Sequence, residues 1–228
     1  GWPVLLDPSQ PWGHFEEITG VDPGFKKVGY LFLATTTEEW MVFQANARLQ
    51  RRFNIPVELL SPGEIQHRWP YLKVDDLQGG NFCPWDGYAG PYEALSGFIK
   101  TGRKKGVKIH EGVEVQQIFQ GRGKITGVRT SAGDISAPIV INAAGPHAAR
   151  VGEMAGVEVP VKPFRRQIFF TAPFPWIADP IPLVIDFHRG LYFRREGQGL
   201  LLSGPKDDFP SFHVDVDDDA MAEVPENS

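Results

Sequence analysis

Apolar positions recur along the chain with two periods, and the changes between them divide it into three stretches. Residues 28–34, VGYLFLA, are β-branched and aromatic in an unbroken run, which predicts a strand. Beyond the three threonines at 35–37, Trp40, Phe43 and Ala47, with Leu49 and Phe53 less regularly, fall at helical spacing and predict an amphipathic helix over 38–53. Ser61, Pro62 and Glu64 carry the pattern of a capping box with proline at the first helical position, so a short helix follows. LQGGNFC, residues 77–83, reads as a strand.

The pattern changes after Trp85. Asp86 and Gly87 suit a turn, Pro91 suits the first position of a helix, and Gly106 suits its stop. VKIH (107–110), VEVQQIF (113–119) and KITGVRT (124–130) then read as strands, and APIVINAAG (137–145) has the continuous apolar character of a strand buried in a parallel sheet. This order predicts half of a nucleotide-binding α/β layer with a β-meander inserted before its last strand. From Pro160 onward VKPFRRQIFFT, PLVIDF, GLYFRRE and GLLLSG are short strands punctuated by Pro and Gly, with no helix pattern between them. They predict an antiparallel sheet, with VGYLFLA as a candidate member.

Composition narrows the classes. With 228 residues, 42% hydrophobic and 12% aromatic, the chain can bury one or two cores. A net charge of -5, with RKKGVK (103–108) as the one dense basic run, supplies no positive face for phosphates, so nucleic acid is excluded as an expected partner. Those lysines suit a solvated helix end. The single cysteine, Cys83, rules out an internal disulfide and a multi-cysteine metal site, and it is compatible with a reducing compartment; the expected location is cytoplasmic. No apolar run approaches the roughly 20 residues that span a bilayer. The chain opens without methionine and stops in DDDAMAEVPENS, whose acidic start resembles the first turns of a helix, so we expect one portion of a longer protein.

Candidate chemistry is sparse. The G-x-G-x-x-G fingerprint is absent; Gly121 and Gly123 of GRGKITG come nearest, but they lie between two strand patterns and suit a hairpin turn. In VINAAGPHAA, Ala143, Ala144 and Gly145 remove side-chain bulk where a strand would end, which fits either close approach of a flat ligand or tight strand-to-helix packing. Alternation sends Arg165 and Arg166 to opposite faces, so one could hold a carboxylate. DFHRGLYFRRE gathers Asp186, His188, Arg189, Tyr192, Arg194 and Arg195, which read as hairpin-edge charges that discourage sheet aggregation. The histidines show no paired spacing, so no metal site is expected, and no G-x-S-x-G elbow is present.

Taken in order, Gly87 to Pro91 (G-x-x-x-P), Gly106 to Ile109, Val115, Gly127 to Ala137 (GVRTSAGDISA) and Val140 to Gly145 (VINAAG) resemble the middle of the D-amino-acid oxidase superfamily. These are FAD-dependent amino-acid and amine oxidoreductases that include glycine oxidase, sarcosine oxidase and sarcosine dehydrogenase-like proteins, and PVKPFRRQIFFT is most similar to the last branch. The resemblance implies an α/β (α+β) fold: residues 1–85 as the first part of a substrate domain, 86–157 as part of an FAD-binding Rossmann-like layer with a β-meander, and 158–228 as the second part of the antiparallel-sheet substrate domain. It implies that the backbone at Val115 meets the adenine of FAD, and that Ala143, Ala144 and Gly145 pass the adenosine part. Tyr192 falls at a substrate-pocket tyrosine, while Arg165 and Arg166 match a less regular pair near the substrate.

The implied activity is oxidation of the C–N bond of a small amine or amino acid (sarcosine, glycine or proline-like) by hydride transfer to FAD. An oligomer or an electron-transfer partner would accompany it. The family's opening G-x-G-x-x-G segment and its closing glycine-rich segment are not among these residues, so this polypeptide alone is expected to bind FAD weakly or not at all. A non-catalytic binding or assembly module derived from a flavoprotein is the alternative.

Overall fold

The computed structural model describes residues 12–206 and 209–215. They fall into two compact units, one of residues 12–107 and 166–205, the other of 108–165 with 206 and 209–215.

The first unit is built on a sheet of seven strands in the order β2-β3-β1-β8-β9-β10-β7: β1 Tyr30–Ala34, β2 Glu58–Leu60, β3 Gly79–Cys83, β7 Arg166–Phe170, β8 Leu183–Asp186, β9 Leu191–Glu196 and β10 Gly199–Lys206. β1 pairs antiparallel with β3 but parallel with β8, so the expected antiparallel sheet is mixed. The predicted strands from Pro160 onward all form, and VGYLFLA joins them.

Helices flank the sheet because each strand face is apolar. Leu31 and Leu33 of β1 are buried with Val184 of β8 against Ile65, Leu72 and Leu77. Ile65 belongs to α3, Pro62–Arg68, whose start carries the expected capping box of Ser61 and Glu64. α2, Thr37–Arg52, covers the opposite face through Ala47 beside Val57 and Cys83, and through Phe43, 5–6.5 Å from the rings of Phe32 and Phe187 (6.3 and 5.4 Å). A second capping box, Thr36 with Glu39, starts α2. α4, Pro91–Lys104, starts on its proline and packs on the short α1, Phe15–Thr19, where a Cβ at Gly97 would stand 2.4 Å from the Phe15 ring.

The second unit holds the expected meander: β4 Val115–Gly121, β5 Lys124–Thr130 and β6 Gly133–Ser136. The β4–β5 turn is made by Arg122 and Gly123 at φ 50° and 74°, so the GRG segment is a hairpin turn, as its position in the sequence predicts. A 3₁₀ turn, Gly145–His147, leads into α5, Ala148–Met154. Two predicted strands do not form. Residues 107–110 and 137–144 belong to no ladder, and Ile139 and Ile141 are 75% and 85% exposed. An apolar segment becomes a strand only when at least one neighbouring strand takes up its backbone hydrogen bonds. Among the described residues none does so. The helix-like DDDAMAEV segment lies outside the described residues.

Candidate functional site

Register places an aromatic and cationic group on one face of the large sheet. Phe32, Ile185 and Tyr192 stand in one cross-strand row, and Tyr30 pairs with Leu183 while Arg194 pairs with Leu201, so Tyr30, Tyr192 and Arg194 share a face. Tyr88 reaches the group from the segment that bridges Lys26 and Tyr88. Its Oη donates to the Arg195 carbonyl at 3.0 Å, and the Arg194 guanidinium stands 4.2 Å from its ring centroid. Arg194 Nη1 also donates to the Arg195 carbonyl and to Glu196. The Tyr192 backbone N–H donates to Ser203 Oγ at 3.0 Å, which fixes the strand at that residue.

Electrostatics keep the Tyr30 and Tyr88 phenols protonated. Burial pushes Tyr30 up, nearby Asp86 adds to the rise, and Arg194 opposes it. Burial likewise pushes Tyr88 up, against the pull of Arg194. Asp86 is itself raised by burial, with a hydrogen bond from Cys83 opposing. The face therefore offers neutral hydroxyl donors, aromatic surface for a cation, and a guanidinium suited to a carboxylate.

A cavity of about 330 Å³ lies at the same strands. Its wall includes Leu33, Val184, Phe193 and Leu202, which register places on the face opposite the Tyr192 ring; Tyr192 borders it through the strand. Its rim carries Arg189, bonded to Asp186 at 2.6 Å and Asp76 at 3.3 Å. The tyrosine face and the cavity are thus separate features, the first carrying Tyr30, Tyr192 and Arg194 and the second a rim on which Arg189 is paired with Asp186 and Asp76.

Arg194 and Arg195 of DFHRGLYFRRE are not edge charges, whereas His188 and Arg189 are exposed in the turn between β8 and β9. β9 is an inner strand, between β8 and β10. Arg195 is only 8% exposed and donates to Asp179 Oδ1 (2.9 Å), to the Phe174 carbonyl (2.9 Å) and to the Ile177 carbonyl. His188 bonds Glu39 at 3.1 Å. Alternation along β9 was visible in the sequence, but the strand's inner position depends on pairing with β8 and β10.

Val115, Ala143, Ala144, Gly145 and Arg165 belong to the second unit, whereas Tyr192 and Arg166 belong to the first. Val115 opens β4 opposite Thr130, with the register set by Glu114 N–H to Ser131 Oγ (3.0 Å) and Ser131 N–H to the Glu114 carbonyl (2.9 Å). Asn142 ties the small-residue turn together: its Nδ2 donates to the Ala148 carbonyl at 2.9 Å and its Oδ1 accepts from the Ala144 N–H at 3.3 Å. Gly145 takes φ 52°, with open space where a Cβ would stand. Arg165 Nη1 donates to the Asp215 carbonyl at 2.7 Å, while Arg166 is exposed at the start of β7. Tyr30, Tyr88 and Asp86 were not singled out from the sequence as site residues; only register and the Lys26–Tyr88 bridge bring them beside Tyr192.

Among the described residues no cluster of His, Cys, Asp or Glu could hold a metal ion, and no helix is long and apolar enough to cross a membrane.

Solved structures share the fold. L-proline dehydrogenase from P. horikoshii superposes with a TM-score of 0.82 at 29% identity, over 94% of this chain and 58% of that one. Glycine oxidase from Geobacillus kaustophilus gives 0.79 at 25% identity, over 97% and 59%. The fold is that of the flavin-dependent amine oxidoreductases. Residues 9–227 match the FAD dependent oxidoreductase (DAO) family, and the chain belongs to it. Mitochondrial sarcosine dehydrogenase of Mus musculus is 30% identical over 208 residues, which make up 89% of this chain and 22% of that protein. The chain thus spans about a fifth of that curated relative's length.

Proposed function

We propose that the protein is an FAD-dependent oxidoreductase that oxidises the C–N bond of an amino acid or a secondary or tertiary amine, of the sarcosine, glycine or proline-like class. The observation that carries this reading is the face of Tyr30, Tyr88, Tyr192 and Arg194 in a chain of this family. Bound FAD would supply the two-electron acceptor, taking a hydride from the carbon beside the amine nitrogen and leaving an imine that water hydrolyses. This chain's residues bind and orient. Tyr192 presents its phenol to the substrate, the neighbouring rings favour an amine, and Arg194 supports a carboxylate from the same side. Arg166, exposed at the start of β7, is the better candidate of the arginine pair for a substrate contact, since Arg165 holds the Asp215 carbonyl.

The small-residue turn fits the adenosine side of FAD. Ala143, Ala144 and Gly145 leave its backbone uncovered, Gly145 has no neighbour to displace, and the Val115 backbone at the head of β4 serves the adenine. Relatives named for proline, glycine and sarcosine support the substrate class. The test is anaerobic reduction of the flavin in the natural full-length protein by N-methyl, cyclic and D-amino acids. Reduction by one of them is expected, with kcat/KM lowered in Tyr192→Phe. Reduction by none sinks the substrate class.

A further inference from the structure

We propose that residues 209–215 form a strap that sets the position of the 145–150 turn, with Phe212 as its positioning residue. This rests on the reading that the turn meets the adenosine part of FAD.

The Phe212 ring is held from two sides. The His147 ring stacks on it with centroids 4.7 Å apart and planes 13° from parallel, and the Arg150 guanidinium stands 4.0 Å from its centroid. His147 and Arg150 are three residues apart on the helical start, so they project to one side and make a slot for a flat ring. Backbone contacts fix the strap around that ring. Ser211 N–H donates to the Pro163 carbonyl at 2.9 Å, Arg165 Nη1 donates to the Asp215 carbonyl at 2.7 Å, and His213 N–H donates to Ser211 Oγ at 3.0 Å. The strap therefore joins residues 163–165 to residues 147–150 within one unit.

The turn needs an outside support. α5 has 7 residues, and neither it nor the 3₁₀ turn before it has a side-chain cap at its start. A helix so short is not stable by its own hydrogen bonds, so its position follows from what packs on it. Phe212 remains 40% exposed, so it contributes through the geometry of the two-sided stack more than through burial. Gly145, at φ 52°, begins the turn two residues before His147, so a shift at His147 moves the backbone proposed to meet the cofactor.

The experiment uses the natural full-length protein, stripped of flavin and titrated with FAD, alongside amide hydrogen exchange at residues 145–150. Phe212→Ala is expected to speed exchange there and to weaken FAD about tenfold, the usual size of coupling between neighbouring packed groups. Phe212→Trp, which keeps a flat ring, is expected to restore both. Unchanged exchange in Phe212→Ala overturns the strap, and so does failure of the tryptophan to restore it. Faster exchange with unchanged FAD affinity overturns the positioning role, and Gly145→Val then separates the two ideas. If Gly145→Val weakens FAD, the cofactor reading of the turn stands and only the positioning role of Phe212 fails; if it too leaves affinity unchanged, the cofactor reading fails as well.

Discussion

Replacing Arg195 with methionine should show what a buried guanidinium does in this sheet. The methionine keeps much of the apolar stem and removes every donor. The Phe174 and Ile177 carbonyls, accepting in part-buried bonds, lose their partner, and an acceptor left without one costs about 1–3 kcal/mol. The ion pair itself matters less, because the Asp179 side chain is 64% exposed and a solvated pair contributes under about 1 kcal/mol. We therefore expect Arg195→Met to lower stability by about 3–4 kcal/mol, a large share of the roughly 5–15 kcal/mol available to a domain. Asp179→Asn should cost less than about 1 kcal/mol. Urea unfolding followed by far-ultraviolet circular dichroism measures both, and the midpoint should fall without a change in slope. Equal losses in the two variants would refute the argument, since the carbonyls would then contribute nothing beyond the ion pair.

Gly87→Ala should cost about 2–3 kcal/mol in the same assay, because its Cβ would stand 2.2 Å from the Lys26 carbonyl oxygen and force apart the Lys26–Tyr88 bridge; it should also reduce turnover by moving Tyr88 from Arg194. Burial raises the Glu39 carboxyl, but the Thr36 and Thr35 N–H groups and His188 outweigh it and leave the group below its usual 4.5. Its stabilisation is therefore present above about pH 4.5 and is lost as pH falls through the lowered folded value, a slope that Glu39→Gln should flatten in acid titration of stability. Thr36→Ala removes the other half of that cap and should cost about 1 kcal/mol. Burial pushes the Cys83 thiol up from 9.0 to about 11, so the folded protein keeps a proton that the unfolded chain releases. Stability should decline between pH 9 and about 11, and a disulfide reagent at pH 8 should label Cys83 far more slowly in the folded protein than in urea.

The parts of this fold legible in the sequence are those set by neighbours along the chain. Ser61, Pro62 and Glu64 marked a helix start because a cap is satisfied within four residues, and Pro91 did the same for α4. The strands from β7 to β10 stood out because Pro and Gly separate them. Pairing between distant segments was not legible. β1 and β8 lie about 150 residues apart, and their parallel contact makes the sheet mixed and turns Tyr30 to the face of Tyr192. The same gap explains Arg195: alternation alone cannot tell an inner strand from an edge. Its donors meet a loop that no local pattern connects to it.

APIVINAAG makes the limit clearest. Its apolar run predicts a buried parallel strand, yet Ile139 and Ile141 lie open and the segment has no ladder partner among the described residues. On α4, Tyr92, Leu95 and Phe98 are exposed at helical spacing in the same way. Hydrophobic periodicity records that a side chain is to be covered, and by which geometry, but not by what. An open apolar segment and an open apolar helix face are surfaces shaped for neighbours. The chain spans 58% of the proline dehydrogenase whose fold it shares, so covering elements of that fold need not lie within these residues. This separates the two parts of the candidate site. The tyrosine face is assembled from strands present in the described residues, so its geometry follows from their register. The 143–145 turn ends an apolar segment that pairs with no strand among the described residues, so its position depends on contacts from outside that segment, and this is why Phe212 and Asn142 carry more weight there than the apolar run itself.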